Sequence, residues 1–331
     1  MANEIISVKD LVTYFFTEAG VVKALDGVSF TIYEGESVGL VGESGSGKTV
    51  SALSIFGIVP RPGKIISGEI LYKGQSLLKL SDEELRKIRG RRIGMVFQDP
   101  NSSLDPLYTV GDQLMEVVRV HAKVSKAQAR ARALSLLELV KISEPEARLK
   151  AYPFELSGGM KQRVAIARSL AGEPDVLIAD EPTTNLDVTI QAQVLELLGG
   201  LRKQLGMTLI LITHDMGIIA EMTSRIVVLY AGRVAEVAST KDLYITPKHP
   251  YTAALLRAVP RVDVRKHLVP IAGNIPNLIT PPSGCRYHPR CPYADQLCVD
   301  QVPPLEDIGG GRQVSCHHWK KLTLDKEVAA V

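Results

Sequence analysis

The first 284 residues contain no cysteine, and all four thiols of the chain (Cys285, Cys291, Cys298 and Cys316) fall in one late cluster. That distribution excludes a secreted scaffold bridged by disulfides throughout. No apolar stretch approaches the roughly 18 consecutive residues of a membrane span. A surplus of one charge is also missing. The 39 Lys and Arg against 36 Asp and Glu leave only +3, so no global basic field argues for nucleic acid. The opening Met1-Ala2-Asn3-Glu4 has neither a basic n-region nor an apolar h-region, so a cytoplasmic location is expected. Internal repeats and low-complexity tracts are absent from the sequence. Tryptophan occurs once, at Trp319, where packing of the C-terminal segment is expected.

What remains is ordinary globular material. Hydrophobic residues make up 45% and charged residues 23%, which excludes a mainly disordered chain. A length of 331 residues allows one large domain or two ordinary ones. Residues 4–14 and 26–33 carry alternating and β-branched positions and read as strands. Ser37-Val38-Gly39-Leu40-Val41 is a short apolar strand. It is followed by a glycine-rich turn and a helical segment from about Gly47 to Gly57. Strand, turn and helix in that order open an α/β unit. Ile93–Phe97 reads as another buried strand. Over 109–141 the apolar period becomes helical, with Val110, Leu114, Val117 and Val118 on one face and Ala133, Leu136, Leu137 and Val140 on another. This predicts a helical insertion in a sheet domain. Val176–Ala179 and Thr208–Ile212 are continuous apolar runs, expected of parallel strands covered on both faces, with a crossover helix over 188–205. Eleven of the 19 prolines lie beyond residue 246, so 246–331 reads as a loop-rich appendage stapled at its cysteines.

Gly42-Glu43-Ser44-Gly45-Ser46-Gly47-Lys48-Thr49 fits the phosphate-binding pattern G-x-x-x-x-G-K-S/T at every defined position. Glycines let the backbone approach phosphate, and the N–H groups point at the anion from a helix N-terminus. Lys48 would reach the β- and γ-phosphates and the Thr49 hydroxyl would ligate Mg²⁺. The competing reading is a glycine-rich turn without a ligand, but strand and helix flank this one correctly. Val176–Ala179 ends in Asp180 and Glu181. At the C-terminal edge of a parallel sheet such acids face the ligand crevice. Asp180 is placed to hold Mg²⁺ and Glu181 to polarise the attacking water; solvated acids capping a strand are the plainer alternative. Thr213-His214-Asp215 ends the next strand in the same manner. There His214 is placed to donate to the γ-phosphate and to orient Glu181 or the water, where a lone histidine would more often be structural.

Between the phosphate loop and the acidic strand lies Leu156-Ser157-Gly158-Gly159-Met160. By itself it is an ordinary start of a helix. In this order it resembles the signature loop of the nucleotide-binding subunit of an ATP-binding-cassette transporter. Other pieces match in order over about residues 4–240. Gln98 resembles the glutamine that touches Mg²⁺ and senses the membrane subunit. Asn185-Leu186-Asp187 resembles the loop that carries an aspartate across the dimer. Phe15, or its neighbour Tyr14, is similar in place to the aromatic that stacks on adenine. Met160 departs from the commoner glutamine, and Asn185 from a small residue. The resemblance implies a P-loop NTPase of α/β class with cassette architecture: a mixed sheet core, an antiparallel β subdomain and a helical subdomain over about 99–172. The cassette would span 1–245, and a loop-rich cysteine module 246–331. It further implies a head-to-tail dimer with two ATP between subunits, each ATP held by one subunit's phosphate loop and the other's Ser157, Gly158, Gly159 and Asp187. Glu181 would serve as base, with His214 and Gln98 positioning, and Mg²⁺ would be held by Thr49, Gln98 and Asp180.

The cysteine spacing is Cys285-x5-Cys291-x6-Cys298-x17-Cys316, without the close C-x2-C pairs of zinc ribbons. An iron–sulfur cluster, zinc (with His317 or His318 as further ligands) and plain buried or bridged cysteines all remain open on spacing. Subunits of the dipeptide/oligopeptide importer group carry a similar four-cysteine extension. They also resemble this chain at His249-Pro250-Tyr251-Thr252 and over Asp187–Gln193. That resemblance favours a structural 4Fe–4S cluster over zinc. It also implies a peripheral motor on the cytoplasmic membrane face that drives peptide import. Its expected partners are a second, related ATPase chain (or a second copy), two permeases and, indirectly, an extracytoplasmic solute-binding protein, with no nucleic acid. Weighed against it are the same motor for an oligosaccharide or nickel, a soluble cassette ATPase acting on DNA or ribosomes, and a redox protein with a regulatory ATPase. The basic run Arg86–Arg92 is either a contact with lipid or a membrane subunit or, more plainly, a solvated face of a helix ending at Gly90.

Overall fold

The computed structural model describes residues 3–184, 186–259 and 270–324. Asn185 and parts of the C-terminal segment (260–269 and 325–331) lie outside the described residues. The chain opens with β1 (Glu4–Thr17), β2 (Gly20–Tyr33), β3 (Ser37–Val41), α1 (Lys48–Phe56), β4 (Gly63–Tyr72) and β5 (Gln75–Ser76). Then come α2 (Asp82–Ile88), β6 (Ile93–Val96), α3 (Pro100–Ser103), α4 (Val110–His121), α5 (Lys126–Leu139) and α6 (Pro145–Arg148). They are followed by α7 (Gly158–Leu170), β7 (Val176–Asp180), α8 (Val188–Leu205) and β8 (Thr208–Ile212). The chain continues with α9 (Met216–Met222), β9 (Arg225–Tyr230), β10 (Arg233–Ser239), α10 (Thr240–Ile245) and α11 (Pro250–Arg257). It ends with α12 (Gln296–Asp300), β11 (Glu306–Gly309) and β12 (Arg312–Val314).

Two compact units result. One comprises residues 1–78 and 213–331, the other 79–212. In the first, β2, β1, β4 and β5 form an antiparallel sheet. The hydrophobic strand β3, buried at every position, pairs parallel to β9. β9 is antiparallel to β10, and β10 to β12. The proline-rich C-terminal segment is therefore not only loop. Its hairpin β11–β12 prolongs the ladder that begins at β3. Trp319 donates its indole N–H to Glu306 of β11 (3.1 Å) and so ties down the last described turn.

The second unit holds the parallel strands β6, β7 and β8, every residue of which is buried. The apolar runs read from the sequence are thus covered on both faces. The helical period over 109–141 resolves into α4 and α5. These bury Val110, Leu114 and Val118 on one and Ala133, Leu136 and Leu137 on the other, and both pack on α7. Thr109 and Ser125 start them by accepting from the N–H of Asp112 and Gln128, as N-caps should. The basic run Arg86–Arg92 lies on the exposed end of α2 and the turn after it, where Gly90 takes a φ of 73°.

Candidate functional site

The phosphate loop leaves β3 and enters α1. Gly42, Gly45 and Gly47 have φ of 151°, 76° and 105°. At Gly42 a Cβ would stand 2.1 Å from the Leu229 carbonyl oxygen; at Gly47 it would stand 2.6 Å from Leu25 Cδ2. Glycine at both places is a packing requirement as much as a conformational one. Gly47 caps α1 in the left-handed conformation, with no side chain between the helix start and an incoming anion. The buried Lys48 ammonium curls into the loop and donates to the Gly42 and Glu43 carbonyls (2.7 and 3.0 Å). Ser46 Oγ is buried with no hydrogen-bond partner. A buried hydroxyl lacking a partner is costly unless something fills the cradle, and a phosphate oxygen would. Ser44, Gly45 and Thr49 are exposed at its mouth.

In the other unit, β7 ends in the buried Asp180. Glu181 then takes a φ of 43°, in the left-handed region where a residue with a Cβ is strained. Its N–H donates to the Ile212 carbonyl (2.8 Å). Its carboxylate oxygen Oε2 accepts from Gln98 Nε2 (2.9 Å) and from Thr184 Oγ1 (3.0 Å). Gln98 thus holds the acid itself, and Thr184 is a second holder that sequence reasoning missed. Ser157 N-caps α7 and accepts from the N–H of Met160 (3.3 Å). Asp187 N-caps α8 and accepts from Ile190 N–H (3.0 Å). A Cβ on Gly159 would meet Ile190 Cγ2 at 2.6 Å, so this glycine lets the starts of α7 and α8 approach closely. Ser157, Gly158 and Asp187 are exposed. His214 is exposed just after β8 and belongs to the first unit, as do Tyr14 and Phe15 on β1.

Two further groups bind the phosphate loop, both from the C-terminal segment. Arg290 grips Glu43 with both nitrogens, Nη1 to Oε2 at 2.7 Å and Nη2 to Oε1 at 3.1 Å. The Tyr251 hydroxyl accepts from Glu43 N–H (2.9 Å). Beneath them Tyr230, Tyr251 and Tyr287 pack ring on ring with centroids 4.5–5.4 Å apart. In the same unit Arg286 and Arg233 both donate to Asp26 Oδ2 (2.6 and 2.8 Å), while Tyr14 donates to Oδ1 (2.9 Å). Burial pushes the Asp26 pKa up, but the Arg233 and Tyr14 bonds and the Arg286 charge outweigh it and hold it below its ordinary value. Burial and the bond to Asp26 raise the Tyr14 hydroxyl. The sequence held one signal for these contacts. Two arginines stand in the short Cys285–Cys291 loop, and Glu43 is the single acid of the phosphate loop.

All four cysteines are free thiols lining one cavity, together with His288, His317 and His318. Burial raises all four thiols, and the neighbouring thiols add to it for Cys285, Cys291 and Cys316. Cys291 is pushed up to about 11 and Cys316 to about 12. Left to itself the site stays protonated; a cation would release the protons and hold the thiolates. Among the described residues, the one group of three ligand atoms lying within 4.8 Å of one another is Asp295, Cys298 and His318. That set of one thiolate, one imidazole and one carboxylate is made of zinc-ligand types. His318 is engaged with Asp295 (3.0 Å), and His317 meets the Gln301 carbonyl (3.0 Å). No described helix is long and apolar enough to cross a membrane.

Residues 25–184 match the family described as ABC transporter, and residues 235–298 match the oligopeptide/dipeptide transporter C-terminal region. A probable peptide ABC transporter ATP-binding protein of Sinorhizobium fredii is 48% identical over 322 residues, 96% of each chain. The dipeptide transport ATP-binding protein of Bacillus subtilis is 49% identical over 92% of each chain. The oligopeptide transport ATP-binding protein of Escherichia coli is 44% identical over 95% of this chain and 93% of its own. Among solved structures, the dimeric cassette MJ0796 in a post-hydrolysis state bound to ADP and Pi is 32% identical. It covers 71% of this chain and 98% of its own, with a TM-score of 0.64. The fold is that of an ATP-binding cassette, with parallel and antiparallel strands in its main sheet. The chain belongs to the ABC transporter family, among the ATP-binding subunits of dipeptide and oligopeptide transporters.

Proposed function

We propose that this chain is the ATP-hydrolysing subunit of an importer for dipeptides or oligopeptides, working at the cytoplasmic face on two permease subunits. The observation that carries the hydrolytic part is Glu181. It follows a buried strand and a buried aspartate, sits in a strained backbone conformation, and is held by Gln98 and Thr184. A carboxylate fixed in this way is suited to orient a water for in-line attack on a γ-phosphate. The peptide assignment rests on the relatives' names and on the matched C-terminal region.

The roles follow from the chemistry of each group. Gly42, Ser44, Gly45, Ser46 and Gly47 supply the anion cradle, and Lys48 turns from the loop carbonyls to the β- and γ-phosphates. Thr49, Asp180 and Gln98 hold Mg²⁺, and His214 orients the γ-phosphate. Phe15 stacks on adenine, beside a Tyr14 fixed by Asp26. Ser157, Gly158, Gly159 and Asp187 of a second ATPase subunit, a related chain or another copy, close over the nucleotide. We assign 1–245 to the cassette, 99–172 within it to the helical subdomain, and 246–331 to the cysteine extension. Cys285, Cys291, Cys298 and Cys316 would hold a 4Fe–4S cluster, which when bound cross-links a proline-rich segment that has little apolar core of its own. Four free thiols around one cavity are what supports that reading.

Two measurements test this. Glu181→Gln should bind ATP as tightly as the parent while hydrolysis falls by about 10²–10³. Unchanged hydrolysis would remove Glu181 from the mechanism. Anaerobic protein should contain about four irons and four acid-labile sulfides per chain. One zinc without sulfide would establish a zinc staple instead.

A further inference from the structure

The ion pair between Glu43 and Arg290 joins residues 247 positions apart and lies inside the phosphate loop itself. The Arg290 side chain is only 4% exposed and that of Glu43 22%, so the pair is largely shielded from water. Each terminal nitrogen of the guanidinium donates to one of the two carboxylate oxygens. Such a fork fixes orientation as well as distance. Arg290 is itself anchored. Its Nε donates to the Ala272 carbonyl (2.7 Å), Nη1 reaches the Tyr230 hydroxyl (3.2 Å), and its guanidinium lies 5.8 Å and 6.0 Å from the ring centres of Tyr230 and Tyr287. The clamp therefore has a rigid base, and what it grips is the segment that must meet a triphosphate.

We propose that Arg290 is a positioning residue for the nucleotide: it clamps the phosphate loop through Glu43 and cancels a carboxylate charge that would otherwise repel the incoming phosphates. The proposal rests on the ATP site described above and adds to it a residue from outside the cassette motifs. Two physical effects combine. Without Arg290, Glu43 becomes an uncompensated anion beside an anion site. The loop also loses the contact that sets its shape, although the Tyr251 hydroxyl still holds the Glu43 N–H.

The experiment measures binding of a fluorescent ATP analogue, with KM and kcat for ATP hydrolysis, on the full-length protein. Wild type comes first, because failure of wild type to bind would overturn the ATP assignment rather than the clamp. Arg290→Ala should weaken binding about 10- to 100-fold and raise KM in parallel, with kcat at saturating ATP within about 3-fold. Arg290→Lys keeps the charge without the fork and should lie between the two. Glu43→Gln in the Arg290→Ala background removes the repelling charge and should recover at least half of the loss on a logarithmic scale. A purely structural contact would instead give additive losses and a lower melting temperature at unchanged KM. Either of those results, or an Arg290→Ala protein that binds ATP like wild type, overturns the proposal. If Arg290→Ala does not fold, Arg290→Lys, alone and with Glu43→Gln, decides it by the same readout.

Discussion

Replacing Gly42 by alanine adds a steric clash to the positive-φ penalty that Gly45 carries alone. The added Cβ would stand 2.1 Å from the Leu229 carbonyl oxygen and 2.6 Å from Ser46 Oγ. A comfortable carbon–oxygen contact is about 3.3 Å, so something must move by about 1 Å. Leu229 is in the β9–β10 ladder, where Val234 pairs with it, and it cannot give way cheaply. The loop moves instead, and with it the Gly42 carbonyl that receives Lys48. A displacement of about 1 Å in a positioning group costs on the order of 10²-fold, or about 2.7 kcal/mol. Gly45 is the control. It has a φ of 76° but open space around its Cβ, so alanine there costs only the left-handed penalty of about 1–2 kcal/mol. In equilibrium binding of an ATP analogue, Gly42→Ala should lose about 100-fold or more and Gly45→Ala at most about 5- to 30-fold. Equal losses at the two positions, or near-parental binding by Gly42→Ala, would refute the packing argument.

Two further perturbations test the joint between the C-terminal segment and the loop. Tyr251→Phe removes the acceptor of the Glu43 N–H and should destabilise the protein by about 1–3 kcal/mol in urea unfolding; a change under about 0.5 kcal/mol would mean water replaces the hydroxyl. His249 is buried, and burial lowers its pKa to about 4. A depressed histidine contributes stability that is complete above the unfolded value of about 6.5 and is lost as pH falls toward 4, by up to about 3 kcal/mol. His249 also caps α11 by accepting from Tyr251 N–H (3.0 Å), a role asparagine can fill. His249→Asn should therefore keep its neutral-pH stability and show a flatter acid limb in pH-dependent unfolding; an unchanged limb would remove His249 as its source.

Much of this was legible because the signals are local. The pattern from Gly42 to Thr49 states its own geometry, since backbone N–H groups at a helix start need glycine beside them. Continuous apolar runs marked β7 and β8 because both faces are covered. The helices α4 and α5 showed their period because one face is buried and the other is wet. The strands β1 and β2 run further than expected, to Thr17 and from Gly20, because cross-strand pairs such as Phe15 with Val22 and Phe16 with Val21 carry the ladder to the hairpin turn. Gln98 and Glu181 were each found by motif order, but their bond was not. Glu43 and Arg290 stood out only as a lone acid and a loop arginine, and nothing joined them to each other or to Tyr251, because a contact between distant positions leaves no period in either segment.

The same logic reaches the thiols. Arg290 directly precedes Cys291, and Arg286 directly follows Cys285, so one short loop carries two cysteines and two arginines that bind Asp26 and Glu43. The packing of the thiols therefore sets the footing of both arginines. A Cys291→Ser variant replaces the thiol by a hydroxyl without changing volume much. If the footing matters, it should weaken ATP binding in the wild-type background. The effect should vanish when Arg290 and Glu43 are already replaced, because no clamp is left to loosen. That pair of measurements is a double-mutant cycle, and coupled sites are expected to be non-additive in it. An equal loss in both backgrounds would place the thiols' contribution in folding of the extension alone and leave the clamp independent of them.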